Sequence, residues 1–439
     1  MTDAALERPR ILVISQDRLD GQVAGTSIRA LELAKVLSAD ADVVLAGAGR
    51  APARVGGIAC VPYDPQDGSS LRDTLPDVDV VVSLPQWPSV MRALRRSQAR
   101  LIFDLYVPQT FETIGGFPGS RPILRRTFSE LATDRLVDAL RTGHQFICAS
   151  EKQRDAWLGV MLAERLLDVA RYDADPSLRS LIDIVPFGVP LQPAVLTGAG
   201  GPRQRIAGVG PDDEVILWNG GLWPWFDADT AIRAVGQLAR RRPAVRLVFM
   251  GAARQVPAQR AAGAARKTAG ELGLLDRVVF FNDTWIPYEE RADWLLEADC
   301  ALSTSEDHIE TRFAFRTRLL DCFWARLPVV CTGGDDLAEV VEREALGAVV
   351  MPGAVDATAA ALEEVLDRGR PAYVPALERA AASYAWPAVA APLQRQIASS
   401  SPPRVRRRAL RPGHAARRAS YVLGRHALDA VGVKDWPRL

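Results

Sequence analysis

Apolar residues in this chain gather in short, continuous, mostly β-branched runs, separated by longer stretches where they recur at helical spacing. In the first half the runs are Ile11-Leu12-Val13-Ile14, Val43-Val44-Leu45, Ile58-Ala59-Cys60-Val61, Val80-Val81-Val82, Leu101-Ile102-Phe103, Phe146-Ile147-Cys148 and Ile182-Asp183-Ile184-Val185. Continuous rather than alternating apolar character marks strands buried on both faces, as in a parallel sheet. Helical patterns lie between them, such as 28–37, where Leu31, Ala34 and Leu37 share a face. The alternation restarts with Val215-Ile216-Leu217-Trp218, Leu247-Val248-Phe249-Met250, Val278-Val279-Phe280-Phe281, Cys300-Ala301-Leu302, Val329-Val330-Cys331 and Ala348-Val349-Val350. Helices are predicted between these runs over 230–240 and 289–296. Two rounds of strand and helix predict an α/β protein of two doubly wound, Rossmann-like parallel-sheet domains.

The stretch 192–211 has no apolar period and contains Gly198, Gly200, Gly201 and Pro202. It divides the chain into a first domain over 1–195, a linker over 196–211 and a second domain over 212–383. The remainder, 384–439, reads as a crossover helix over 384–397 and a basic tail. Two such sheets on a linker predict an interdomain cleft facing the carboxyl ends of the strands, where this architecture binds ligands.

Composition narrows the function. A length of 439 residues suits two domains, and a formal net charge of +1 supplies no field to recruit nucleic acid. The five cysteines are scattered without C-x-x-C spacing, and the four histidines stand in unrelated places, so buried thiols and no metal site are expected. The polar N-terminus is no secretory signal and no apolar run approaches the ~18–20 residues that span a bilayer, so a cytoplasmic location is expected. Only Lys35, Lys152, Lys267 and Lys434 are lysines, and a chain this rich in arginine cannot have every arginine functional. A nicotinamide enzyme is disfavoured, because Ser15-Gln16-Asp17 after the first strand lacks the G-x-G-x-x-G fingerprint.

Three loops carry candidate chemistry. Gly21-Gln22-Val23-Ala24-Gly25-Thr26-Ser27 lies between the first strand and the helix 28–37, where glycine lets backbone N–H groups approach a phosphate and the helix N-terminus favours an anion. It reads equally as a flexible βα loop. Gly220-Gly221-Leu222-Trp223-Pro224-Trp225-Phe226-Asp227 holds the same position in the second domain; Trp223 and Trp225 either pack beneath the loop or wall a sugar or base pocket. The densest cluster runs Glu306-Asp307-His308-Ile309-Glu310-Thr311-Arg312-Phe313-Ala314-Phe315-Arg316-Thr317-Arg318-Leu319-Leu320-Asp321. Carboxylates there suit sugar hydroxyls, and arginines suit a diphosphate.

With these stretches in order, the chain resembles glycosyltransferase family 4 over about residues 10–390. Gly25-Thr26-Ser27-Ile28-Arg29-Ala30 is similar to that family's first glycine loop and helix, and Val185-Pro186-Phe187-Gly188-Val189 to the end of its first domain. Ala298-Asp299-Cys300-Ala301-Leu302-Ser303-Thr304-Ser305 and Leu320-Asp321-Cys322-Phe323-Trp324-Ala325-Arg326-Leu327-Pro328-Val329-Val330 resemble two second-domain motifs. The resemblance implies a GT-B fold and a retaining glycosyltransferase, active in polysaccharide, glycolipid or glycosylated-metabolite biosynthesis. Its donor is a nucleotide-sugar, and its acceptor an unidentified sugar, lipid-linked molecule or small molecule; no cofactor or metal is implied.

The chain departs from that family in its details. The family's paired glutamates correspond here to Phe313 and Asp321, so a loop three residues longer is implied, with Glu310 (313 − 310 = 3) meeting the donor sugar and Asp321 the ribose. No basic residue occupies Gly220-Gly221-Leu222-Trp223-Pro224-Trp225-Phe226-Asp227, where the family places an arginine–lysine pair for the diphosphate, so either Arg316 or Arg318 substitutes, or the donor is unusual, or activity is lost. Asp104 stands in for the acceptor-side histidine. The implied catalytic set is therefore Glu310, Asp104 and Arg316. The donor set is Gly25, Thr26, Gly220, Gly221, Trp223, Trp225, His308, Arg312, Arg318 and Asp321. The missing basic pair also leaves open a catalytically silent GT-B binding or scaffold protein, and the fold a sugar-nucleotide epimerase.

The tail carries seven arginines and no acid over 404–418. It reads either as a solvated arginine-rich end or as a peripheral contact with the inner membrane face, because basic residues gain about 1 kcal/mol each near an anionic leaflet. Co-sedimentation with liposomes separates the two. A membrane contact predicts binding that needs anionic lipid, fades with salt and disappears when the chain is truncated after Ser399; equal partitioning of both lengths removes the tail's role.

Overall fold

A computed structural model describes residues 8–19, 25–115, 122–251 and 256–399. The tail over 404–418 and glycine-loop residues 20–24 lie outside the described residues. The chain divides into two compact units: Met1–Thr110, Arg126–Gly188 and the helix Trp386–Ala398 belong to the first, and Phe111–Arg125 and Val189–Ala385 to the second.

In the first unit each apolar run became a strand: β1 (Arg10–Ile14), β2 (Asp42–Ala48), β4 (Ile58–Tyr63), β5 (Val80–Ser83), β6 (Arg100–Asp104), β7 (Gln145–Cys148) and β8 (Ile182–Ile184). The two-residue β3 (Arg54–Val55) left no apolar signature and pairs antiparallel with β4; the other pairs are parallel. The order β3-β4-β2-β1-β5-β6-β7-β8 puts β1 at the centre, with Leu12 in register with Val44 on one side and Val81 on the other. Ile11 to Ile14 are all but inaccessible, as continuous apolar strands between helical layers must be.

A buried ion pair fastens this unit. Arg29, on the helix Gly25–Leu37, donates Nε to Asp104 Oδ2 at 2.6 Å and Nη2 to Oδ1 at 3.1 Å, and both side chains are almost fully buried. Its remaining donors reach the Pro186 and Val185 carbonyls at 2.8 and 2.7 Å. The crossover helix expected near 384–397 is Trp386–Ala398, packed against Gly25–Leu37. Trp386 lies against Phe187, with ring centroids 4.9 Å apart, and leaves no room for a Cβ at Gly188.

The second unit contains β9 (Glu214–Trp218), β10 (Val245–Phe249), β11 (Val279–Phe281), β12 (Cys300–Ser303), β13 (Val329–Thr332) and β14 (Gly347–Val350), all parallel, in the order β11-β10-β9-β12-β13-β14. The segment expected as a linker is docked on this unit. Thr197 and Gly200 donate backbone N–H groups to the two oxygens of Asp293 at 2.6 and 3.0 Å, and Arg203 pairs with Asp299 at 3.0 Å. Its missing apolar period reflects attachment through backbone and charge.

Removing one partner of a buried ion pair strands the other. Arg29→Met should therefore destabilise the protein by about 3–5 kcal/mol in urea denaturation, and Arg29→Met/Asp104→Leu should recover most of that loss. An Arg29→Met variant as stable as its parent would contradict the assignment.

Candidate functional site

Strand order reverses in the second sheet where β9 lies beside β12, and ligands of doubly wound sheets bind outside the carboxyl ends of strands at such a point. The tryptophan loop follows β9 and the acid–arginine loop follows β12. Backbone bonds join the two: Asp227 N–H donates to the Thr304 carbonyl at 3.0 Å, and Glu306 N–H to that of Trp225 at 3.2 Å. Asp227 also caps the helix Ala228–Leu238, accepting from Thr230 N–H at 2.9 Å. Gly220 has φ +116°, which glycine tolerates, and a Cβ on Gly251 would lie 2.4 Å from the Gly220 oxygen.

Arg318 enters this glycine turn from the helix Thr317–Trp324. Its Nη2 donates to the Gly221 carbonyl at 2.7 Å, and its guanidinium lies 3.8 Å from the Phe226 ring centroid and 5.5 Å from that of Trp218. Asn219 Nδ2 donates to the Arg318 carbonyl at 2.7 Å, tying turn to helix. No carboxylate forms an ion pair with Arg318 among the described residues, and its buried Nη1 has no hydrogen-bond partner there. Burial, and secondly the like charge of Arg316, push its pKa well below the usual arginine value.

Arg316 is bound differently. Its Nη1 and Nη2 form a fork on Glu310 at 3.1 and 2.6 Å, with both side chains buried, while its Nε lacks a partner. A carboxylate so held keeps lone pairs for further donors. His308 caps the helix Ile309–Phe313, its Nδ1 accepting from Thr311 N–H at 3.4 Å and lying 3.9 Å from Glu310 Oε2. Asp321 Oδ1 accepts from Arg291 Nε at 3.1 Å; that guanidinium lies over the Tyr288 and Trp324 rings.

Trp223 and Trp225 stack on each other, with centroids 5.2 Å apart and planes within 2°, and remain half-buried. Beside them, Leu222, Pro224 and Phe226 wall a cavity of about 300 Å³, opposite Ala261 and Ala265. Gly220, Gly221, Trp223, Trp225, His308, Glu310, Arg316, Arg318 and Asp321 thus all lie on the segments that follow β9 and β12 in one unit. Arg312 is exposed.

Gly25, Thr26 and Asp104 belong to the first unit. Gly25 and Thr26 open the helix Gly25–Leu37, and Thr26 Oγ1 donates to Asp17. Asp104, expected on the acceptor side, has both its oxygens engaged by Arg29 inside the core, where the pair fastens the first unit.

Several participants escaped the sequence reading. Phe226 carries both guanidiniums, with Arg316 at 4.9 Å from its centroid, yet reads as one more loop aromatic. Arg291 reads as an ordinary charge beside a helix. Glu112 sits on a first-half helix but is counted with the second unit; burial raises its carboxyl to about 7, Glu310 adding and Arg316 opposing. Asp335 caps the helix Asp336–Arg343 while buried.

Comparison with known proteins bears on this geometry. Residues 213–368 match the sequence model of the family described as glycosyl transferases group 1. HepE of Anabaena, in a structure with UDP and glucose, is similar at 16% identity and TM-score 0.64, over 90% of this chain and 100% of that one. Sucrose-phosphate synthase of Thermosynechococcus elongatus is similar at 17% identity and TM-score 0.63, over 89% and 99%. WaaG, a glycosyltransferase of lipopolysaccharide biosynthesis, is similar at 14% identity and TM-score 0.56, over 88% and 98%. These likenesses show the GT-B fold. No curated protein matches the chain by sequence.

Burial raises the Asp335 carboxyl to about 6, opposed by Arg316 and by its capping bonds. The folded state thus holds this proton more tightly than the unfolded chain, whose aspartates titrate near 3.9. The resulting stabilisation is fully present below about pH 4 and is lost as pH rises through about 6. Asp335→Asn keeps a capping oxygen and should flatten that slope, gaining roughly 1–3 kcal/mol relative to the parent between pH 4 and 7 in denaturant titrations. An unchanged slope would place the titration elsewhere.

Proposed function

We propose that this chain, whose residues 213–368 match the sequence model of the group 1 glycosyl transferases, is a retaining glycosyltransferase that takes its sugar from a nucleoside diphosphate sugar and releases the diphosphate at Arg318. The observation that carries the reading is a buried guanidinium with no carboxylate and one unpaired donor, at the reversal of strand order. An anion is the partner that such a cation lacks.

The geometry supports the following roles. The β-phosphate of the donor is met by the guanidiniums of Arg318 and Arg316, which stabilise the charge that develops as the glycosidic bond breaks. The fixed Glu310–Arg316 pair presents carboxylate oxygen to sugar hydroxyls, with His308 holding the turn before it. Asp321, oriented by Arg291, accepts from ribose hydroxyls. The stacked Trp223 and Trp225 give an apolar face to a sugar ring. Structures of the similar HepE with UDP and UDP-glucose, and of an E. coli protein with UDP-2-fluoro glucose, support a uridine donor. The acceptor is a sugar, a lipid-linked molecule or a small molecule, and the arginines over 404–418 would bring a lipid-linked one within reach.

A panel of nucleotide-sugars, followed by proton NMR of the released sugar, tests this. The expected result is donor cleavage with retained anomeric configuration, and a loss of about 10²–10³ in kcat/KM for Arg318→Ala. Diphosphate binding without cleavage of any donor would identify a silent binding protein. A change at another sugar carbon would identify an epimerase.

A further inference from the structure

The opposite edge of the second sheet holds a cavity of about 680 Å³ that the transfer reaction does not use. It opens where β10 and β11 begin and the helix Ala228–Leu238 ends. Five-residue strands rising ~3.3 Å per residue separate it from the donor site by roughly 15 Å. Leu274 and Val278 are buried beneath it and Val355 contributes a further apolar wall. Arg233, Arg240, Arg246 and Arg277 line it, and none of its lining residues is acidic.

The four arginines differ in how their charge is met. Arg233 is neutralised by Asp229 at 2.6 Å and Arg246 by Asp213 at 2.8 Å. Arg277 gives Nε and Nη2 to the Gly273 carbonyl at 3.1 and 2.9 Å, which orients the guanidinium without cancelling its charge. Arg240 forms no ion pair among the described residues, and both it and Arg277 are exposed. Arg246 Nε is buried with no hydrogen-bond partner. Asp356, outside the lining, accepts from Gln237 Nε2 at 3.0 Å. Two guanidiniums with unmet charge and an apolar floor thus share one concavity of small-molecule size.

We infer that this cavity is a second ligand site, which binds a small phosphate monoester with the phosphate on Arg240 and Arg277 and the organic body on Leu274 and Val355. Arginine forks match phosphate oxygens, and a concave apolar floor favours a compact metabolite over an extended polymer or a membrane surface. Its place on the sheet that carries the donor loops makes it an effector site, occupied without competition with the donor.

Calorimetric titration with glucose 6-phosphate, and separately with inorganic phosphate, tests this. The parent and Arg318→Ala should bind glucose 6-phosphate with equal, saturable affinity, and inorganic phosphate more weakly because it lacks the organic body. Arg240→Ala/Arg277→Ala should lose at least about tenfold in affinity, and Arg240→Glu alone as much; tenfold is about 1.4 kcal/mol. Both side chains are exposed, so these variants should keep the parent's melting profile. The site is refuted by no saturable binding to the parent, by binding unchanged in the Arg240 and Arg277 variants, or by binding lost in Arg318→Ala. Failure here leaves the transfer reaction untouched, because that reaction is read at Arg318.

Discussion

The arrangement around the second sheet's strand reversal depends on one buried cation that its own protein does not neutralise. Withdrawing a charge from water costs several kcal/mol unless it is paired. Around Arg318 the cost is offset only in part, by one carbonyl, by the ring faces of Phe226 and Trp218, and by the fixed dipoles of the turn. The surrounding features serve that placement. Gly220 has φ +116° and lacks the Cβ that would lie 3.3 Å from Arg318 Nη2, Gly251 lacks the Cβ that would collide with the Gly220 oxygen, and Asn219 ties the turn to the arginine's own backbone. On the proposed reading a ligand anion supplies the missing partner, and binding energy and the cost of burial are met by the same contact.

Arg29 shows the alternative fate of the same residue type. It too is buried near the end of a central strand, but every direction its guanidinium reaches is occupied, by Asp104 and by the carbonyls of Val185 and Pro186. Such a site is closed and holds the first unit together. Arg316 lies between the extremes, with a carboxylate on its fork and an unpaired Nε. Burial and arginine content do not distinguish these three residues; the partner does, a carboxylate for Arg29 and Arg316 and none for Arg318 among the described residues.

The same contrast between burial and partner choice explains what was legible in the sequence. Strands buried on both faces write themselves as uninterrupted apolar runs, so two sheets and their restart could be read directly, while β3, two residues long and exposed, could not. The second-domain loops were legible because acids, arginines and tryptophans are unusual at a strand's carboxyl end. Partner choice was not legible. Asp104 and Glu310 both precede or follow a strand in similar surroundings, yet one is consumed by Arg29 from a distant helix and the other by Arg316 from its own loop. The docking of the segment over 196–211 was illegible for a related reason, since backbone attachment to Asp293 leaves no periodic trace. Phe226, Arg291 and Glu112 act through proximity that only the fold creates.

The central claim is that the unpaired guanidinium of Arg318 exists for a diphosphate. Calorimetry with a nucleoside diphosphate and with the corresponding nucleoside, on the parent and on Arg318→Ala, tests it most directly. The account predicts that the variant loses about 1.5–3 kcal/mol toward the diphosphate, the range of a charged hydrogen bond, and nothing toward the nucleoside. Equal losses toward both ligands, or diphosphate binding as tight as the parent's, would contradict it.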